Sequence, residues 1–312
     1  MQLEVFIRKL VDYVLLNAYS VNSTGLYNGK AGISLTLFEV ARLLNDDYLE
    51  DQAYELLQES LLSTNEDLSF ENGLAGIGYT LLYLSENGFI DADFDDLFKE
   101  QYEKIMNGFE MLREQPKLLL NSIQMIYFLT SIKRVKADDE RIDFSIRTLF
   151  QAVELYLATQ FYDFADIRYI NNKSKVLNIF ETYLEIVSRC KYRRFSRVIL
   201  DDYEKLYQNG RIAGSFKAGY YLKIPDMQHL ELIYTPSLSL RERIWLTEHS
   251  DNDLIKPLIA SQEMKLLEQK ILKTIPDKVF YAGIEQGLSR LLLYLVRTGK
   301  NNNMNANIPL FI

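Results

Sequence analysis

The chain has 312 residues, of which 48% are hydrophobic and 25% charged, which is ordinary globular composition. Its net charge of −8 argues against a nucleic-acid surface, and no stretch reaches the roughly 20 uninterrupted apolar residues that a membrane span needs. The one cysteine, Cys190, cannot form an internal disulfide, and the first residues lack a signal-peptide core, so we expect a cytoplasmic protein.

Apolar periodicity predicts helices along nearly the whole chain. They are expected over residues 3–18, 29–44, 49–62, 73–85, from 91 onwards, and over 117–133, 138–160, 176–189, from 235 onwards, 254–275 and 287–297. Residues 212–224 fit either a short helix or an irregular hairpin. Pro116 is a suitable first residue for its helix, and Ser239 with Glu242 has the spacing of a capping box. With no convincing strands, the chain is expected to be all-α.

Apolar and amphipathic helices alternate along the chain, which predicts inner and outer members of helical hairpins. Six or seven hairpins that close on themselves would make an α/α toroid, whereas an open arrangement would be an α-solenoid; the apolar inner helices favour closure. We expect one domain over residues 1–300, followed by a polar tail over 301–312.

A glycine-rich segment recurs along the chain. Gly73, Gly76 and Gly78 stand at positions one, four and six of the first copy that we consider. The same arrangement, with Ser34 at position six, begins at Gly29, an offset of 73 − 29 = 44 residues. A weaker copy lies within residues 283–292. Glycine inside a helix costs up to ~1 kcal/mol relative to alanine, so these glycines indicate a close approach of another backbone. A repeat of this length is typical of stacked helical units.

The segments GLYNGKAGISLTLFEVARL and FENGLAGIGYTLLYLSENG closely resemble the glycine-rich repeats of lanthionine synthetase C-like proteins. The resemblance is specific over residues 25–45 and 70–88 and fair over 279–299. It implies a double ring of helices around a central cavity. It also implies zinc-assisted addition of a cysteine thiol to a dehydrated residue of a ribosomally made peptide.

The zinc ligands implied by the resemblance have no counterparts here. The family supplies two cysteines and a histidine, the second cysteine directly before the histidine, together with a catalytic histidine. This chain has only Cys190, His229 and His249, with no Cys-His pair and no histidine beside a glycine repeat. We therefore expect a degenerate member, a pseudoenzyme with no metal, no other cofactor and no catalytic residue. Cys190 is expected to be a partly buried free thiol, and the histidines surface or helix-end residues.

Polar residues precede the first glycine of each copy. An amide stands directly before it each time, and a tyrosine or glutamate before the amide. These loops lie at the starts of inner helices and would ring one mouth of the cavity. The amides could cap the helices and the carboxylates gain from the helix dipole. Alternatively, the loops with nearby aromatics form a peptide-binding rim. The candidate rim residues are Tyr27, Asn28, Phe70, Glu71, Asn72, Tyr281, Glu285 and Gln286.

The sequence thus favours a lanthionine synthetase C-like protein of a ribosomal peptide-modification system. Its expected partners are a peptide substrate or precursor peptide, or a modification enzyme of the same system, and not nucleic acid or a membrane. The alternative is a metal-free enzyme, cyclase-like or glycoside hydrolase-like, that uses Glu71 and Glu285. A structural scaffold is a third possibility. The basic cluster formed by Lys191, Arg193 and Arg194 around Tyr192, with Arg197, fits a solvated helix end or a site for an acidic leader peptide.

Overall fold

The computed structural model describes residues 2–112, 115–163, 173–224, 238–249, 253–259, 282–285 and 287–299. Within these ranges there are helices and no strands, which confirms the predicted all-α class. This helical architecture is consistent with the helical toroid that the resemblance implies. The single domain over residues 1–300 stays a prediction.

The described part of the chain is built from helices joined by loops of different lengths. In chain order they are α1 (Gln2–Ala18), α2 (Lys30–Leu44), α3 (Asp47–Leu61), α4 (Leu74–Glu86), α5 (Phe94–Leu112), α6 (Pro116–Asn121), α7 (Met125–Val135), α8 (Glu140–Asp163), α9 (Lys173–Cys190), α10 (Arg197–Gln208), α11 (Phe216–Leu222), α12 (Leu240–His249), α13 (Lys256–Ile259) and α14 (Leu288–Gly299). Among them, none combines the length and the hydrophobicity that a membrane crossing requires.

The chain divides into two compact units. Met1–Glu103 and Thr235–Leu310 belong to the first unit, and Lys104–Tyr234 to the second. In the first unit, α2 is buried from residue 31 to 41 and α4 from 74 to 84, without an exposed face. Helices without an exposed face do not need a polar stripe, and polar residues within them, such as Ser34 and Thr36, are buried and hydrogen-bonded.

The first unit contains an αα-hairpin made by α2 and α3. Asn45 ends α2 in the left-handed conformation (φ 50°), and the Asp46 carboxylate accepts the N–H of Leu49 at 3.3 Å, which caps α3. The Ser34 hydroxyl donates to the Ala53 carbonyl at 2.7 Å and fixes the two helices side by side. This is the hairpin expected from the short polar loop between them.

In the second unit, the helix expected over residues 117–133 is wrong as a single element. It is divided into α6, with Pro116 at its first turn as expected, and α7. The Ser122 N–H donates to the Leu119 carbonyl at 3.0 Å, a tight three-residue turn that closes α6 before α7 begins. Residues 216–222 of the ambiguous segment form a helix, and α10 is a helix that sequence reasoning did not assign.

The capping box predicted before α12 is confirmed. The Glu242 carboxylate accepts the Ser239 N–H at 2.8 Å, and the Ser239 hydroxyl accepts the Glu242 N–H at 3.3 Å. The start of the helix expected from residue 235 and most of the helix expected over 254–275 lie outside the described residues, as does the tail over 301–312.

Candidate functional site

Three glycine-rich turns of the first unit meet through their main chains. We define turn I as residues 25–29, turn II as 69–73 and turn III as 283–285. The Tyr27 N–H donates to the Glu71 carbonyl at 2.7 Å, and the Tyr27 carbonyl accepts the N–H groups of Ile284 at 2.6 Å and Glu285 at 3.1 Å. Turn I is therefore joined to both of the other turns through one residue.

The glycines of these turns are required because neighbouring backbone lies against them. A Cβ at Gly25 would overlap the main chain of Asn72, and a Cβ at Gly283 would lie 2.8 Å from the Tyr27 carbonyl oxygen. A Cβ at Gly76 would overlap the Phe70 carbonyl oxygen. The close backbone approach expected from the repeat is present at these positions, and it brings the polar residues of the turns together.

The aromatic residues of turns I and II pack beneath the turns. Tyr27 and Phe70 are buried and lie edge to face with their ring centroids 6.1 Å apart, and Phe70 makes a second edge contact with Tyr79 at 5.4 Å. Such pairs add stability beyond their burial. The packing of these buried rings supports the conformation of turns I and II.

The amides of the turns do not cap the helices, so the expectation of amide caps is wrong for α2 and α4. The residues at the cap positions are Gly29 and Gly73, without a side-chain bond to the helix. The first helical N–H groups already have main-chain acceptors seven residues earlier, as when the Leu74 N–H donates to the Asp67 carbonyl at 2.8 Å. The amides are therefore available for other contacts.

Two of the predicted rim residues bind each other across turns I and III. The Asn28 side-chain amide donates to the Glu285 carboxylate at 2.9 Å, and both residues are half-buried. Asn72 of turn II is exposed, and Glu71 is half-buried. The hydrogen bonds between the turns therefore bring Glu71, Asn28 and Glu285 into one region. Tyr281 and Gln286 lie outside the described residues.

The Glu71 carboxyl is electrostatically unusual. Burial raises its pKa above the ordinary value, its own backbone N–H opposes this, and the negative charges of Asp67 and Glu285 raise the pKa further, while Arg241 acts in the lowering direction. The ionised form of this carboxyl is therefore less favoured than that of an exposed one. Nothing in the spacing of the sequence indicated the contribution of Arg241.

The metal donors that the structure describes do not fit a zinc site. In the described ranges, no three His, Cys, Asp or Glu side chains are grouped so that they could hold a metal ion. Burial raises the pKa of the Cys190 thiol to about 11, which disfavours the thiolate that zinc binds, and its sulfur lies 3.8 Å from the Thr130 hydroxyl. His249, at the end of α12, stacks on Trp245 at 4.3 Å. His229 lies outside the described residues.

The basic segment after α9 is held against α8. The Tyr192 hydroxyl donates to the Asp143 carboxylate at 2.8 Å, and the Arg193 guanidinium donates to the Glu154 carboxylate at 2.7 Å. Phe150 stacks on Tyr192 with an interplanar angle of 7°. Two of its side chains therefore serve the packing of the second unit, and only part of the cluster is free to meet an acidic peptide.

One part of the chain, which contains turns I and II, is similar to a known protein family. Residues 20–154 match the family model of lanthionine synthetase C-like protein. This part of the chain is similar to lanthionine synthetase C-like proteins. This match contains turns I and II with the helices that they open, and it ends within α8, before turn III. Neither a curated protein nor a solved structure matches the chain.

Proposed function

We propose that this lanthionine synthetase C-like protein binds a peptide of a ribosomal peptide-modification system at the rim formed by turns I, II and III, without using a metal. The observation that carries the proposal is the set of hydrogen bonds at Tyr27, which brings Glu71, Asn28 and Glu285 to one place. Tyr281 and Gln286 complete the proposed rim in sequence. The bound peptide is a substrate or a precursor peptide; a modification enzyme of the same system is the other partner that we consider.

The chemistry of the rim suits an extended peptide. A peptide backbone presents unpaired donors and acceptors, and the rim supplies an exposed amide at Asn72, an amide–carboxylate pair at Asn28 and Glu285, and a half-buried carboxyl at Glu71. Tyr27 and Phe70 support this arrangement from the buried side, which preorganises the polar groups.

We propose no zinc chemistry because of the metal-binding side chains that this chain has. The lanthionine synthetase C-like family implies a zinc site, but the described donors do not fit one. We place the protein in the cytoplasm, where the single cysteine would stay reduced. Metal analysis of the purified full chain tests this part: stoichiometric bound zinc would contradict it.

Peptide binding is tested with an array of unmodified and dehydrated peptides and the full-length protein. Peptides found on the array are then titrated in solution by fluorescence anisotropy. Replacing both carboxyls (Glu71→Gln and Glu285→Gln) should weaken binding about a hundredfold or more, since each lost charge-assisted hydrogen bond contributes about 1.5–3 kcal/mol. Glu66→Gln removes an exposed carboxylate from the loop before turn II and serves as the matched control. Equal affinity of all variants, or no peptide bound, contradicts the proposal.

A metal-free enzyme is the second candidate, and the raised pKa of Glu71 beside Glu285 is the observation that favours it. A carboxyl whose pKa is raised by burial, with a second carboxyl nearby, can supply general acid–base catalysis. Turnover of a dehydrated cysteine-containing peptide or of an aryl glycoside, lost in Glu71→Gln and Glu285→Gln but kept in Glu66→Gln, would support this candidate. Turnover unchanged by both replacements would remove it.

A further inference from the structure

The third copy of the glycine repeat has a side chain at a position where the first two copies have glycine. Gly32, Gly76 and Arg290 each stand three residues after the first glycine of their copy. In the first two copies, this glycine lies against the carbonyl oxygen of the residue six positions earlier, Leu26 or Phe70, which a Cβ would overlap. The third copy has one of the largest side chains at the same position.

Arg290 binds the carbonyl group that a glycine accommodates in the other two copies. Its side chain is 2% exposed, and its Nε donates to the Ile284 carbonyl at 2.6 Å and to the Glu285 carbonyl at 2.9 Å. Ile284 stands six positions before Arg290, so it corresponds to Leu26 and Phe70. Hydrogen bonds from a charged donor inside the protein are among the stronger ones.

At Ser289, the residue before Arg290, a side chain also makes a hydrogen bond that the main chain makes in the first copy. In the first copy, the Ala31 N–H donates to the Thr24 carbonyl at 3.2 Å, seven residues earlier. In the third copy, the buried hydroxyl of Ser289, which corresponds to Ala31, donates to the Ala282 carbonyl at 2.5 Å. Turn III is therefore fastened to its helix by two side chains.

The two carbonyls held by Arg290 belong to the residues that dock on turn I. The N–H groups of Ile284 and Glu285 both donate to the Tyr27 carbonyl, while their carbonyls accept from Arg290. Turn III is thus bound on both sides, and the Glu285 carboxylate meets the Asn28 amide at 2.9 Å. A shift of this turn would move Glu285 away from Asn28.

We propose that Arg290 is a positioning residue of the rim, which fixes the backbone of turn III so that Glu285 faces Asn28 and the bound peptide. The peptide-binding consequence rests on the proposed function, whereas the positioning of Glu285 does not. Because Arg290 is buried, it acts on the rim through Glu285.

Amide hydrogen exchange of the full-length protein separates positioning from a purely structural role. In Arg290→Met, the amides of Ile284 and Glu285 should exchange about tenfold faster relative to the Tyr27 amide, whose acceptor in turn II is unchanged. Arg290→Lys keeps a charged donor and should restore part of the protection. Should Arg290→Met fail to fold, the same ratio is measured in Arg290→Lys and Arg290→Gln. Equal acceleration at all three amides would overturn the proposal.

Binding of an array-selected peptide supplies the second arm. Arg290→Met should weaken binding about as much as Glu285→Gln, and the double variant should be no weaker than either, because both changes remove one interaction. Full affinity in Arg290→Met would overturn the positioning role and leave the proposed function standing. If the unaltered protein binds no peptide but the selective exchange effect is present, the proposed function fails and the positioning of Glu285 is supported.

Discussion

The two compact units fasten their loops by different means. In the first unit, turns I, II and III are joined by main-chain hydrogen bonds that meet at Tyr27. In the second, the segment after α9 is held by side chains, with Arg193 bound to Glu154 and the Ser196 N–H donating to the Tyr183 hydroxyl at 3.0 Å. Main-chain docking leaves no room for a Cβ, whereas side-chain docking does not require glycine. This difference explains why the glycine repeat occurs in the first unit.

The second unit also places side-chain charge in its interior. Lys217 of α11 and Glu185 of α9 form an ion pair at 2.9 Å with both side chains at most 10% exposed, and Arg189 lies 3.4 Å from the same carboxylate. The Ser215 hydroxyl donates to Glu181 one turn away. These contacts fix α11 against α9 without any close backbone approach.

The largest effect is expected where a Cβ would meet backbone. Gly76→Ala should destabilise the protein by about 3 kcal/mol, since overpacking typically costs about 1–3 kcal/mol and a carbonyl cannot give way as a side chain can. Denaturant unfolding measures this change.

Gly88→Ala is the matched control for that change. Gly88 has open space around it and a φ of 65°, so only the left-handed conformation opposes a side chain, at about 1–2 kcal/mol. A Gly76→Ala variant no less stable than Gly88→Ala would show that the close approach does not hold turn II.

The next effect is expected at the buried ion pair. Lys217→Met should cost about 2 kcal/mol, less than the full loss of a buried pair because Arg189 remains near Glu185. Replacing Glu185 by Leu as well should recover most of the loss, because no uncompensated carboxylate is then buried. A neutral Lys217→Met, measured in the same denaturant series, would contradict the assigned role of the pair.

A smaller effect is expected at the segment after α9. Arg193→Met should cost at most about 1 kcal/mol, because the guanidinium is 39% exposed and solvent screens its pairing with Glu154. A double-mutant cycle with Glu154→Gln isolates the coupling between the two side chains. A coupling indistinguishable from zero would mean that the pairing of Arg193 with Glu154 does not help to hold this segment.

The smallest effect concerns the pH dependence of stability. Because burial raises the pKa of Glu71, the folded protein binds its proton more tightly than the unfolded chain does. The associated stability is present below the ordinary carboxyl pKa and is lost as pH rises through the raised value. Glu71→Gln should abolish this part of the slope in unfolding experiments across that window, whereas Glu66→Gln should keep it. An unchanged slope in Glu71→Gln would contradict the burial of its carboxyl.

The helices and the close approach of the repeat glycines could be predicted because both leave periodic marks in the sequence. The division of α6 from α7 could not, since the residues around Ser122 carry neither proline nor glycine and the break depends on a local three-residue turn. The capping box at Ser239 was visible because all of its partners lie within four consecutive residues.

The members of the candidate site were visible only in part. Alignment of the copies brought out Asn28, Glu71 and Glu285, but the amide caps expected from it were wrong because carbonyls seven residues earlier already accept the helix N–H groups. Arg290 departs from the glycine pattern and so looked like a weakening of the repeat. Its contacts with two carbonyls become apparent only when turn III is seen beside turn I.

If the three turns form one assembly, native-state hydrogen exchange over a denaturant series shows it most directly. The amides of Tyr27, Ile284 and Glu285 should then exchange only through a large opening, with the denaturant dependence of the buried amides of α4. Rapid exchange of the Tyr27 amide, with little dependence on denaturant, would contradict a rim built on that residue.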